Sequence, residues 1–119
     1  MKPFIALELE AANATDATLR VRDMFRAGTL QPKQYIHLVR RERTGERVTW
    51  GALEIANTDD RLIVVFPVSE MGIRGDQKRV ACMGVRAVAA GGMKTFESHI
   101  RTAVTRAARL WREEHKVAA

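Results

Sequence analysis

Residues 13–28, NATDATLRVRDMFRAG, decide the fold, because the same letters support two periods. At a period of two, Leu19 and Val21 face one way and Thr18, Arg20 and Arg22 the other, as on a half-buried strand. At 3.6, Ala17, Val21, Met24 and Phe25 share one face of a helix over 17–27, with Asp16 placed to cap it and Gly28 to end it. The stretch upstream alternates as well: Ile5, Leu7 and Leu9 are interleaved with Ala6, Glu8 and Glu10, and Asn13-Ala14-Thr15-Asp16 has the composition of a turn. Two alternating runs around a turn favour a first antiparallel hairpin over the helix.

Downstream, Thr29 to Lys33, with Pro32, is a connection. Gln34 to Glu42 reads as a strand, Thr44-Gly45 as a tight reversal and Arg47 to Ala56 as the antiparallel partner. Val48 and Trp50 are out of phase with Leu53 and Ile55, and a bulge at Gly51 would bring all four to one face. After the polar Asn57-Thr58-Asp59-Asp60, the segment Arg61 to Phe66 is apolar on both faces, so helices must cover one side and something else, such as a second protomer, the other.

Ser69 to Gly75 reads as a loop. Val80, Met83, Gly84, Ala87 and Val88 then predict a helix from about Gln77 to Ala90, bounded by Asp76 and by Gly91-Gly92. Phe96, Ile100, Ala103, Val104, Ala107, Leu110 and Trp111 form one continuous stripe, predicting a helix from about Lys94 to Lys116. The expected fold is α+β, one domain over 1–119: an antiparallel meander of four to five strands followed by two C-terminal helices packed on one face.

At 119 residues the chain is the size of one domain with one core, and its 46% apolar content is ordinary for a globular protein. Cys82 is the single cysteine, so no internal disulfide can form, and a carboxylate as early as Glu8 argues against a signal peptide. The longest apolar run, Leu62 to Val68, is far short of the roughly 20 residues of a membrane span. A cytoplasmic protein without membrane attachment is expected.

The net charge of +6 sits in one half. Residues 1–60 balance nine Lys/Arg with nine Asp/Glu, whereas residues 61–119 hold eleven Lys/Arg against five acids. Fifteen of the twenty cations are arginine, whose planar fork suits phosphate or carboxylate. On the last helix Arg101, Arg109 and Arg112 project opposite the apolar stripe, with Arg106 on the flank. A row of this kind gains affinity for polyphosphates through counterion release, although a solvated helix face has the same composition. Gly72-Ile73-Arg74-Gly75-Asp76-Gln77-Lys78-Arg79 is a second candidate, a glycine loop meeting a helix start, with Arg74, Lys78 and Arg79 as its cations. Its G-x-x-G spacing occurs in the RNA-clamping loop of KH domains, but Val68 to Gly72 leaves little room for the helix that precedes that loop. A third patch, Arg40 to Arg47 at the hairpin tip, is partly neutralised by Glu42 and Glu46 and gains interest only if it lies beside the helical arginines. Tyr35 and Trp50 could stack on bases if exposed, but core positions are the commoner use of such side chains in strands.

Catalytic signals are thin. His37, His99 and His115 have no metal-ligand spacing with one another or with Cys82, neither Ser69 nor Ser98 stands in a nucleophile elbow, and Glu8 and Glu10 read as acids on one exposed strand face. No enzyme, cofactor or metal is expected. Two function classes remain: a nucleic-acid-binding protein, DNA or RNA, working as a homodimer, or an accessory protein of the kind phages and plasmids encode, setting its arginines against an acidic protein surface. Were 17–27 helical, the order helix, three strands, helix would be similar to that of double-stranded RNA-binding domains, with Lys78-Arg79-Val80-Ala81 near their basic helix start. The chain departs from them at Cys82, at Thr44-Gly45, which lacks a histidine, and in its long last helix.

Overall fold

The computed structural model describes residues 6–30, 34–57, 62–70, 81–84 and 93–116. In chain order they form β1 (Ala6–Glu10), α1 (Ala14–Arg26), β2 (Gln34–Arg41), β3 (Arg47–Asn57), β4 (Leu62–Pro67), β5 (Ala81–Gly84) and α2 (Met93–Glu114). The strands make one mixed sheet in the order β1-β2-β3-β4-β5. β1 runs parallel to β2, with Leu7 opposite Ile36 and Leu9 opposite Leu38, while the other three pairings are antiparallel. No helix among the described residues is long and apolar enough to cross a membrane.

The first hairpin is therefore replaced by a strand–helix–strand unit, and the end signals of residues 13–28 explain why. Asn13, extended, accepts the Asp16 N–H at 2.9 Å, and Asp16 reaches back to accept the Ala12 N–H at 3.0 Å. At the other end Gly28, at φ 74°, lets its N–H reach Phe25 O at 3.1 Å and the Thr29 N–H reach Met24 O at 2.9 Å, a Schellman closure. The alternation was misleading at Thr18. It is fully buried, and its hydroxyl donates to Ala14 O at 2.7 Å, so a residue assigned to a polar strand face is satisfied inside the helix. A helix between two strands returns the chain to its starting end, which makes the second strand parallel to the first.

The predicted helix over 77–90 also fails where it is described, because Ala81–Gly84 is a strand paired to β4, Val64 opposite Cys82. The unpaired edge of β4 outweighs a helical pattern that contains Gly84, one of the poorest helix formers, at its centre. The rest of that span, with the loop at 72–79, lies outside the described residues. Of the two helices among the described residues only one is thus C-terminal; the other is α1.

Both helices pack on one face. Ala17 and Val21 from α1 and Phe96, Ile100, Ala103, Val104 and Ala107 from α2 cover Ile36, Leu38, Leu53, Ile55 and Val65 of the sheet, all fully buried. Phe25 meets Phe96 with ring centroids 4.6 Å apart, and Arg22 bridges to Glu97 at 2.9 Å, so the helices also hold each other. On the opposite face Ala52, Val64, Phe66 and Val68 form a second buried group with Trp111. Val64 and Phe66, on the apolar second face of β4, are thus buried within one chain.

The irregularity predicted in β3 is present. Leu38 stands opposite Gly51 and Val39 opposite Thr49, leaving Trp50 as the extra residue. Gly51 also governs how closely α2 approaches. A Cβ there would lie 3.4 Å from both the Ala107 carbonyl carbon and the Ala108 nitrogen, backbone atoms of α2 that cannot swing aside. Replacing Gly51 with Val should therefore lift α2 from the sheet and lower stability by about 1–3 kcal/mol, the usual cost of overpacking, read as a reduced urea midpoint. Asn13→Ala should cost about 1 kcal/mol through the lost cap, with no change in the packing of α2.

Candidate functional site

The pairing of β4 with β3 ends where the Val68 N–H bonds Ala52 O at 3.0 Å, no described strand covers the start of β3 on that side, and the last turns of α2 lie alongside it. A cleft of about 790 Å³ opens there. Val48, Thr49 and Trp50 line it from the bulged strand and Ala108, Arg109, Trp111 and Arg112 from the helix, with His115 and Lys116 just past the helix end. Arg40 of β2 closes the rim, so of the charged residues in the hairpin-tip patch Arg40 alone lies beside the helical arginines. Glu113 is the one acid in the lining.

The sequence-predicted cations separate. Arg109 and Arg112 are exposed on the cleft and, among the described residues, have no acidic partner. Arg101, about 12 Å away along the helix axis at 1.5 Å per residue, donates instead to the Thr15 hydroxyl of α1 at 3.1 Å. Arg106 is half-buried and engaged by a partner in the chain. Arg74, Lys78 and Arg79 lie outside the described residues. Lys116 was missed, although it falls in line with Arg109 and Arg112 at the spacing i, i+3, i+7 and could have been found that way. Trp50 is half-buried rather than wholly in the core: its indole N–H donates to Ala11 O at 3.2 Å while its ring lines the cleft. Tyr35 packs instead against the second apolar group.

Elsewhere five arginines are matched with acid, while the exposed Arg26 and Arg43 have no acidic partner among the described residues. Arg20 pairs with Asp16 at 3.1 Å, Arg22 with Asp23 and Glu97 at 3.0 and 2.9 Å, Arg40 with Glu42 at 2.8 Å, Arg41 with Glu10 at 3.5 Å, and Arg47 with Glu8. Glu8 and Glu10 each take an arginine and do not form a carboxylate pair. No three His, Cys, Asp or Glu side chains among the described residues converge as metal ligands. Comparison with protein-family models, curated proteins and solved structures finds no match to this chain.

The end of α2 is held by a polar clamp. His115 Nδ1 lies 2.9 Å from Trp111 O and Nε2 2.5 Å from a Glu70 carboxylate oxygen, and the Glu70 N–H donates to Glu114 at 3.2 Å. Both ring nitrogens face acceptors, which only the doubly protonated imidazolium can satisfy as donors. Its pKa is accordingly raised above the ordinary value, first by the bond to the Trp111 carbonyl and then by Glu70. The ring also stacks on Trp111, centroids 4.8 Å apart, so the clamp fixes one wall of the cleft.

A raised folded pKa means that the clamp stabilises fully below the unfolded value of about 6.5 and weakens as pH rises through the folded value. An NMR titration should place the His115 midpoint above about 6.5, and Glu70→Gln should bring it down. The same variant should flatten the decline in melting temperature above that pH. A midpoint unmoved by Glu70→Gln would show that the carboxylate does not hold the ring.

Proposed function

We propose that the protein is a small, non-enzymatic nucleic-acid-binding module of the cytoplasm that grips phosphates with the C-terminal half of α2. One observation carries this reading. Arg109 and Arg112 stand exposed, with no acidic partner among the described residues, on a concave surface that Arg40 and Lys116 also border and that holds the single acid Glu113, whereas Arg20, Arg22, Arg41 and Arg47 are each tied to a carboxylate. Free guanidinium groups carry their own hydration and counterion demand, and a chain of phosphates meets it through bidentate hydrogen bonds while releasing its condensed cations. The chain's whole excess of positive charge lies in the half that contains them.

The reading moves weight from Arg101 to Lys116. Arg101 is committed to the junction between the helices, where its bond to Thr15 ties α2 to α1, so its loss should act mainly on stability. Arg40 keeps a partner in Glu42 at an exposed site, and a surface pair of that kind is exchanged for phosphate at little cost.

Fluorescence polarisation with labelled DNA and RNA at several salt concentrations tests the proposal. Binding should weaken steeply with salt, and Arg109→Ala/Arg112→Ala should lower affinity and reduce the slope of log K against log salt by about 1.5–2, close to one unit for each phosphate left without its arginine. Arg101→Ala should leave that slope nearly unchanged. Failure to bind any nucleic acid even at low salt, with tight binding to an acidic protein instead, would overturn the proposal.

A further inference from the structure

We propose that the nucleic acid is taken single-stranded, laid as an extended strand between the start of β3 and the end of α2. The inference rests on the phosphate-binding reading above and narrows it.

Three features of the cleft point the same way. The first is a stretch of strand edge that no described strand covers. β4 pairs with β3 from Leu53 to Asn57 and reaches Ala52 through Val68, so Arg47 to Gly51 have no strand on that side among the described residues. A strand edge of this kind presents backbone N–H and C=O groups with no partner, suited to the hydrogen-bonding edges of unstacked bases. In a duplex those edges are already paired with each other.

The second is the arrangement of charge. Arg109 and Arg112 stand on the helix wall with Lys116 beyond the helix end, facing Val48, Thr49 and Trp50 on the strand wall. The helix wall is cationic apart from Glu113 and the strand wall is uncharged apart from Arg40 at the rim, which fits a ligand with phosphates along one border and bases along the other. An acidic peptide would suit the cations, but its charges would alternate to both sides of an extended chain, and the strand wall offers them nothing.

The third is size and lining. A recess of 790 Å³ is within the roughly 300–1,000 Å³ of sites that enclose small organic ligands, room for a nucleotide or two and not for a double helix. Both tryptophans of the chain, Trp50 and Trp111, line it, but Trp111 is buried and stacked on His115, so the half-buried ring of Trp50 is the one open to a base. Aromatic faces beside a basic groove are the common means of holding bases without regard to sequence.

Because the only two indoles border the cleft, intrinsic fluorescence reports its occupancy directly. The experiment titrates the full chain at low salt with an oligothymidylate of about twelve nucleotides, with a duplex of equal length, and with an oligoglutamate peptide. The single strand should quench tryptophan emission and bind at least about tenfold more tightly than the duplex. Thr49→Glu, which sets a carboxylate on the strand wall, should weaken the single strand about tenfold, its folding checked by circular dichroism. Equal affinity for both nucleic acids with unchanged emission would overturn the inference and leave phosphate binding by α2 standing. Quenching by oligoglutamate alone would overturn it in favour of a peptide site, and binding of none of the three would overturn it together with the reading beneath it. The wild-type comparison decides the matter even if Thr49→Glu does not fold.

Discussion

Backbone lies against backbone where α2 crosses β3, and the placement of everything at the C-terminal end follows from that contact. Gly51 has no side chain, and a Cβ there would already be in van der Waals contact with the Ala107–Ala108 peptide of the helix, so nothing larger fits at this crossing. A helix seated that deeply carries Ala103, Val104 and Ala107 fully into the core, small residues that permit the approach and would leave voids in a shallower one. The same closeness fixes where the helix emerges. Three residues beyond this crossing, Trp111 leaves the first core and joins Ala52, Phe66 and Val68 in the second, and Arg109 and Arg112 are turned to the gap beside the bulge. The bulge at Trp50 and the glycine next to it are therefore one device: an extra residue bends the strand, and a missing side chain admits the helix into the bend.

Much of this was readable from the sequence, and the exceptions share a cause. The α2 stripe from Phe96 to Trp111, the turn at Gly45, whose φ is 89°, and the phase break around Gly51 are local signals without a rival period, and each corresponds to a feature of the fold. Residues 14–26 and 81–84 had a rival. Leu19 and Val21 alternate by chance on a helix whose face is completed by Ala17 and by Thr18, a polar residue made apolar in effect by its bond to Ala14 O. Ala81 to Gly84 carry a helical spacing, yet their partner is the edge of β4, a neighbour distant in sequence that no window of residues contains. Local chemistry set the ends of α1 correctly once Asn13 and Asp16 are taken together as a capping pair rather than as a turn.

The candidate site was legible in type but not in membership. Arg109 and Arg112 follow from helix geometry alone, because the stripe that buries one face dictates what the other exposes. Arg101 follows from the same geometry and is nevertheless elsewhere engaged, since helical projection cannot say that α1 lies close enough for Thr15 to take it. Arg40, Val48 and Thr49 come to the cleft only because the bulged strand ends up beside α2, a tertiary relation that a single sequence states nowhere.

A helix C-terminus is an unusual wall for an anion site, since the macrodipole leaves partial negative charge there and the final carbonyls look for donors. The clamp answers both demands with one residue. His115 gives its backbone N–H and its Nδ1 to Trp111 O, at 3.1 and 2.9 Å, and the imidazolium charge required by its second bond to Glu70 offsets the dipole at its negative end. Had Arg112 or Lys116 been drawn into that capping role, as cations in a last turn commonly are, their charge would be used within the fold. A dedicated histidine leaves the longer side chains facing the cleft, and it does so because Glu70, just past the end of β4, is within reach of it. Among the described residues, the strand that ends its pairing at Ala52 thus leaves the start of β3 uncovered and is followed by the acid that holds His115.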